Sequence, residues 1–132
     1  MLSQHLELLM LLLAVLIGVV QIAWAAIAAR RQQGLEWARG PRDEPRPATG
    51  AAARLERAFA NFQETFPLFA ASVLVVIALD ETGRLSAWGS IAYVLARIAY
   101  VPLYAAGVPR VRSLVWFIGF LGLLMVWAEA FV

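Results

Sequence analysis

Long apolar stretches alternate with short polar ones along the whole chain. Leu8 to Ala29 carries no charge, and Gln21 is its one strongly polar residue. An apolar run of about 20 residues, rising about 1.5 Å per residue, crosses the roughly 30 Å hydrocarbon layer of a bilayer. The pattern predicts an all-α membrane protein of four antiparallel spans, over residues 7–29, 53–79, 85–106 and 112–132. The whole of 1–132 then forms one four-helix membrane domain. The first run could pass for a secretion signal, with "AWA" at Ala23 to Ala25 as a cleavage site. No Lys or Arg precedes it, however, and it exceeds a signal core of about 7–15 residues, so it is expected to be retained. Residues 32–53, "QQGLEWARGPRDEPRPATGAAA", read as a loop, because Pro41, Pro45, Pro47, Gly34, Gly40 and Gly50 oppose a helix. The other two connections, "DETGR" and "GVPR", are tight turns, which makes the last three spans antiparallel neighbours.

One stretch breaks the pattern. "RLERAFANFQETFPLF", Arg54 to Phe69, opens the second span with charges. Arg54, Arg57, Asn61 and Glu64 follow helical spacings and fall within about 80° of arc, forming one polar stripe. Glu64 then lies roughly 10–15 Å into the hydrocarbon. Phe59, Phe62, Phe66 and Phe69 fall mostly off the stripe, and Pro67 predicts a bend beyond Glu64. In the third span Arg97, Tyr100 and Tyr104 also share a face. An unpaired charge at the depth of Arg97 costs from about 3 to above 10 kcal/mol. Glu64 is the acid of comparable depth, so a structural Arg97–Glu64 ion pair between helices is expected. Such groups can simply fasten a bundle. The full set has a cationic excess and reads instead as a polar cavity for an anionic, carboxylate-bearing ligand. "AGVPRVRS" adds Arg110, Arg112 and Ser113 at the start of the fourth span, where a helix N-terminus favours anions.

Composition narrows the classes. The chain has 132 residues, 62% of them hydrophobic, which leaves no room for a soluble catalytic domain. It has no cysteine and one histidine, His5, so neither a thiol nucleophile nor a multi-histidine metal site is available within it, and no metal is expected. All eleven basic residues are arginines. They crowd the first and third connections, with Arg84 alone on the opposite side. The positive-inside rule puts those connections in the cytoplasm and both termini outside it. The basic balance therefore reflects topology and anionic lipid, with no nucleic-acid partner implied. His5, Glu7 and Glu129 are expected at the membrane interface, outside the hydrocarbon. The tryptophans cluster near span ends as an aromatic belt. Ala92 and Ala96 form a small-xxx-small pair suited to close helix packing.

These residues resemble a known family. Arg54, Arg57, Ala58, Asn61 and Glu64, followed by Phe66 and Pro67, are similar to the second-helix signature of the MAPEG superfamily, the membrane-associated proteins in eicosanoid and glutathione metabolism. "ARIAYVPLYAAGVPRVRS" is similar to that family's third helix and following turn. The resemblance extends over essentially the whole chain. It implies a homotrimer that binds glutathione as co-substrate between protomers and admits a lipophilic electrophile from the bilayer. It implies that Arg30 or Arg31, with Arg54, Arg57, Asn61, Glu64, Tyr100 and Tyr104, contact glutathione. It implies that Arg112 and Ser113 activate the thiol. Trp116 stands where several eicosanoid-synthesising members carry a tyrosine, Ala60 stands where one branch carries a further arginine, and Tyr100 replaces a histidine of one branch. The chain thus looks like the short bacterial members, expected in the inner membrane.

Three functions follow as expectations. The first is a glutathione-dependent transferase or peroxidase acting on lipophilic electrophiles. The second is a non-catalytic structural or accessory subunit of a membrane complex, which would keep the polar stripe for folding alone. The third is a small proton-coupled exporter using Glu64. Such exporters usually carry their acid in the first helix, which has none at depth here.

Overall fold

The computed structural model describes residues 2–132, with side chains from Leu6 onward. The side chain of His5, expected at the interface, lies outside the described residues. All regular structure among the described residues is helical: α1 (Leu2–Gln33), α2 (Leu35–Arg39), α3 (Gly50–Ala78), α4 (Arg84–Ala105) and α5 (Pro109–Glu129). Segments of α1 (Leu6–Gln33), α3 and α5 are each long and apolar enough to cross a membrane. α4 is the one long helix that falls short of that hydropathy, and it is also the most enclosed. It packs against α1, α3 and α5. Ser86, Ser90, Tyr93, Arg97 and Tyr100 are all buried along it. A helix wrapped by others can carry groups that a lipid-facing helix cannot.

The core is built on α4. Tyr93 stacks on Phe69 of α3, ring centroids 4.1 Å apart, and its hydroxyl shares a 2.9 Å hydrogen bond with Thr65. Val73, Val76, Val94, Leu123, Val126 and Ala14 complete this cluster. α4 and α5 meet backbone to backbone. A Cβ on Gly89 would stand 2.5 Å from the Gly122 carbonyl oxygen, and one on Gly122 would stand 2.6 Å from that of Gly89. Ala96 faces Gly119, and Ala92 faces Gly122, so the two small residues of α4 do mark its seam with α5.

One expectation needs correction. The loop after α1 is not free of helix, because α2 occupies Leu35–Arg39. The prolines begin only at Pro41, so "LEWAR" between Gly34 and Gly40 meets no helix breaker. The rest of the loop is tied down. Gln32 exchanges hydrogen bonds of 2.9 Å with the backbone of Thr49, and Gln33 and Arg46 each donate to the other's carbonyl. Glu7, at the same end of the bundle as the start of α4, is fully buried within the protein. Its carboxylate accepts from the Ser86 hydroxyl, and Glu129 accepts the Ser86 N–H at 2.6 Å. The first turn of a helix has unpaired N–H groups and a positive dipole end, which carboxylates satisfy. Gly83 makes room for this, because a Cβ there would lie 2.7 Å from Glu129 Oε1.

Candidate functional site

The polar residues singled out by helical spacing assemble into a ladder across α3, α4 and α5. Arg97 is its lowest rung and is almost fully buried. Its Nη1 donates to Asn61 Oδ1 at 2.8 Å. Its guanidinium carbon lies 4.3 Å from the centroid of Tyr100 and 5.5 Å from that of Phe62. Tyr100 meets Tyr104 edge to face at 5.6 Å. Tyr104 is then flanked by two cations, Arg112 at 4.4 Å and Arg57 at 5.9 Å. Aromatic faces carry negative potential, so each ring partly offsets the charge of the arginine against it.

The expected Arg97–Glu64 pair does not form within the chain; Asn61 takes that place. Asn61 is three residues before Glu64 on the same stripe and reaches α4 with its side chain. Glu64 is exposed on the outer face of α3. Among the described residues no acid forms an ion pair with Arg57, Arg97 or Arg112, and the ladder keeps its cationic excess. In a double-mutant cycle, Asn61→Ala and Arg97→Lys are expected to be non-additive in thermal stability. The coupling should be about 1 kcal/mol, the scale of a polar contact between membrane helices. Strict additivity would mean that the hydrogen bond contributes nothing.

The remaining residues lie around the ladder. Arg54 donates through Nε to the Ala105 carbonyl at 2.9 Å. It thus caps the C-terminal end of α4, where a cation suits the exposed carbonyls. The Ser113 hydroxyl donates to Pro109 O, 3.0 Å away in its own helix. Ser113 is exposed and Arg112 half-buried. Arg30 lines a separate hollow with Gln33, Trp37, Arg42 and Glu56, and Arg31 is exposed. The structure thus joins Asn61, Arg97, Tyr100, Tyr104, Arg57 and Arg112. It leaves Arg30, Arg31, Glu64 and Ser113 outside those contacts. The contact of both Arg57 and Arg112 with the Tyr104 ring was not foreseen. The signal for it was the shared face of Tyr100 and Tyr104, read together with the short turn that returns α5 beside α4.

The arrangement offers guanidinium groups and phenols, with no metal-binding group of three or more ligating side chains among the described residues. Guanidinium forks suit carboxylates and other oxyanions. Comparison with curated proteins finds no match. A model of the MAPEG family matches residues 9–132, which include every rung of the ladder, all of α3, α4 and α5 and most of α1. On the strength of that match over nearly its entire length, the chain belongs to the MAPEG family.

Proposed function

We propose that this protein is a glutathione-dependent transferase or peroxidase acting on lipophilic electrophiles in the membrane. The observation that carries the reading is the pair of guanidinium groups, Arg57 and Arg112, both held against the ring of Tyr104. Glutathione is a dianionic peptide at its carboxylates, and the donor set fits it. Arg57, Tyr100 and Tyr104 would hold the carboxylates, with Asn61 and Glu64 toward the amine and peptide groups. Arg30 or Arg31 and Arg54 would border the site. Glutathione supplies the thiol: as the thiolate, its sulfur bonds to carbon of an epoxide or conjugated carbonyl while the C–O or C=C bond opens and takes up a proton. In the peroxidase reaction two glutathiones become the disulfide as the peroxide becomes alcohol and water. Arg112 lowers that thiol's pKa by favouring its anion. Ser113 has its proton engaged on Pro109, so its oxygen remains as an acceptor.

The reading includes an assembly. Gln63 and Glu64 are exposed on a helix apolar enough to span the bilayer. A charge facing lipid costs several kcal/mol, so a neighbouring protomer is the natural cover. A homotrimer of four-span protomers, with α4 also crossing, would place Glu64 at a protomer interface. The arginine-rich end would face the cytoplasm and both termini the other side.

Equilibrium dialysis of glutathione against the purified protein tests the proposal. Saturable binding at millimolar glutathione is expected, and it should weaken in Arg57→Ala with Asn61→Ala. No saturable binding would favour the second reading, a non-catalytic subunit. That reading draws on the Asn61–Arg97 bond, which shows part of the stripe engaged in helix packing. Ser113→Ala is expected to retain conjugation of 1-chloro-2,4-dinitrobenzene within about fivefold, the factor set by one ordinary hydrogen bond of about 1 kcal/mol. A loss far beyond that would make Ser113 the main activating group.

A further inference from the structure

α1 and α4 enclose a groove of about 310 Å³ that is separate from the Arg57–Tyr104–Arg112 cluster. Leu13, Leu16, Ile17 and Val20 of α1 and Ile98 of α4 form its walls. Leu16, Val20 and Ile98 are about half exposed, so the groove opens on the outer surface of the chain. Two polar side chains also line it, Gln21 and Arg97. They are 2% and 1% exposed. The Gln21 amide group and the Arg97 Nε and Nη2 have no hydrogen-bond partner among the described residues.

We propose that this groove binds a single-chain amphiphile with a carboxylate head, of the fatty-acid class, with its head on Arg97 and Gln21 and its chain along α1. The inference is independent of the thiol-transfer reading. Three arguments carry it. The first is the shape of the donor set. Asn61 occupies Nη1 of Arg97, which leaves the Nε–Nη2 edge. That edge is a planar fork matched to the two oxygens of a carboxylate. Gln21 adds an amide donor. The second is charge. Arg97 is a buried cation with no acid bonded to it, and an anion brought to it relieves the cost of burying it alone. The third is depth. Arg97 lies eight residues before Ala105, or about 12 Å from the arginine-rich end of α4. A phospholipid head stays at the interface and would have to sink by that distance. A fatty-acid carboxyl is small and can descend to a buried partner. The walls around the head are hydrocarbon, which suits an acyl chain and excludes a large polar ligand.

Trp24 lines the same groove and provides the probe. A 16-carbon fatty acid brominated on its chain should quench the fluorescence of the full-length protein in detergent, saturably. Trp24→Phe should remove most of that quenching. The corresponding brominated alcohol should bind at least tenfold more weakly. Arg97→Lys, which keeps the charge and loses the fork, should weaken the fatty acid about tenfold. Ile17→Trp, which fills the groove and leaves the Arg97–Asn61 bond intact, should abolish binding and guards against misfolding of the Arg97 variant. Equal binding of acid and alcohol would overturn the proposal. So would displacement of the fatty acid by an equal concentration of phosphatidylglycerol in mixed micelles, which would assign the site to a phospholipid head. Absence of saturable quenching would overturn it as well and leave Gln21 and Arg97 to water alone.

Discussion

Gly122→Val is expected to separate α4 from α5 and to destabilise the protein by about 3 kcal/mol or more. A Cβ at position 122 would meet Gly89 O at 2.6 Å, Tyr93 N at 2.8 Å and the Ala92 Cβ at 3.1 Å. Two of those atoms are backbone, which cannot rotate away. The helices would have to move apart, and the loss would spread along the seam to Ala96 and Gly119. Membrane helices gain little from the hydrophobic effect once inserted, because lipid is as apolar as leucine. Their association depends on close contact, so the separation costs more than the strain of a single methyl group. Gly89→Val should behave alike, since its Cβ would stand 2.5 Å from Gly122 O. Combining the two should give no rescue. Gly18→Ala is the contrast: its Cβ would meet the Phe62 ring edge at 3.0 Å, a side chain that can shift. Thermal denaturation in detergent, followed by circular dichroism, measures all of these. A Gly122→Val protein as stable as the parent would refute the backbone-to-backbone seam.

Under the proposed thiol-transfer function, Arg112→Ala is expected to lower kcat/KM for thiol conjugation by about 100-fold at neutral pH. The pH dependence gives the sharper reading. A free thiol ionises near pH 8.5, and an adjacent arginine moves that downward. With Arg112 present, activity should persist well below pH 8.5 and fall only as the thiolate is protonated. In Arg112→Ala the inflection should move up toward the free-thiol value, with part of the rate recovered at high pH. Arg112→Lys should restore much of the downward shift, because charge is the property at issue. Arg57→Ala should act differently: KM for glutathione should rise while the inflection stays in place. The two arginines touch the same ring, so Tyr104→Leu should affect both quantities by freeing both guanidinium groups. An unchanged pH profile in Arg112→Ala would remove Arg112 from thiol activation.

Much of this molecule was legible from residue order alone. Long apolar runs and turn residues located the long helices. The spacing of Arg57, Asn61, Arg97, Tyr100 and Tyr104 brought the ladder residues to common faces, since helical periodicity is fixed by backbone geometry. What it left open was the choice between neighbours on one face. Depth and charge favoured Glu64 as the partner of Arg97, but lateral reach decided for Asn61. Contacts between distant segments were not legible at all. Glu7 meets Ser86 across 79 positions, and Glu129 meets it across 43. The seam between α4 and α5 was half visible. Ala92 and Ala96 marked the α4 side, but the glycines opposite them could be recognised only once the register of the two helices was set.

The junction of Glu7, Ser86 and Glu129 bears on the order in which the protein assembles during synthesis. The N-terminal turn of α4 receives one carboxylate from α1 and another from the far end of α5. Glu7 emerges from the ribosome long before Ser86 and must wait at the membrane for it. The Ser86 N–H in turn lacks its acceptor until α5 has been threaded through and Glu129 has arrived. An intermediate holding only the first three long helices would therefore carry an open helix end at that surface. Closing it would couple completion of the last helix to locking of the first, so that the bundle tightens as a single final event.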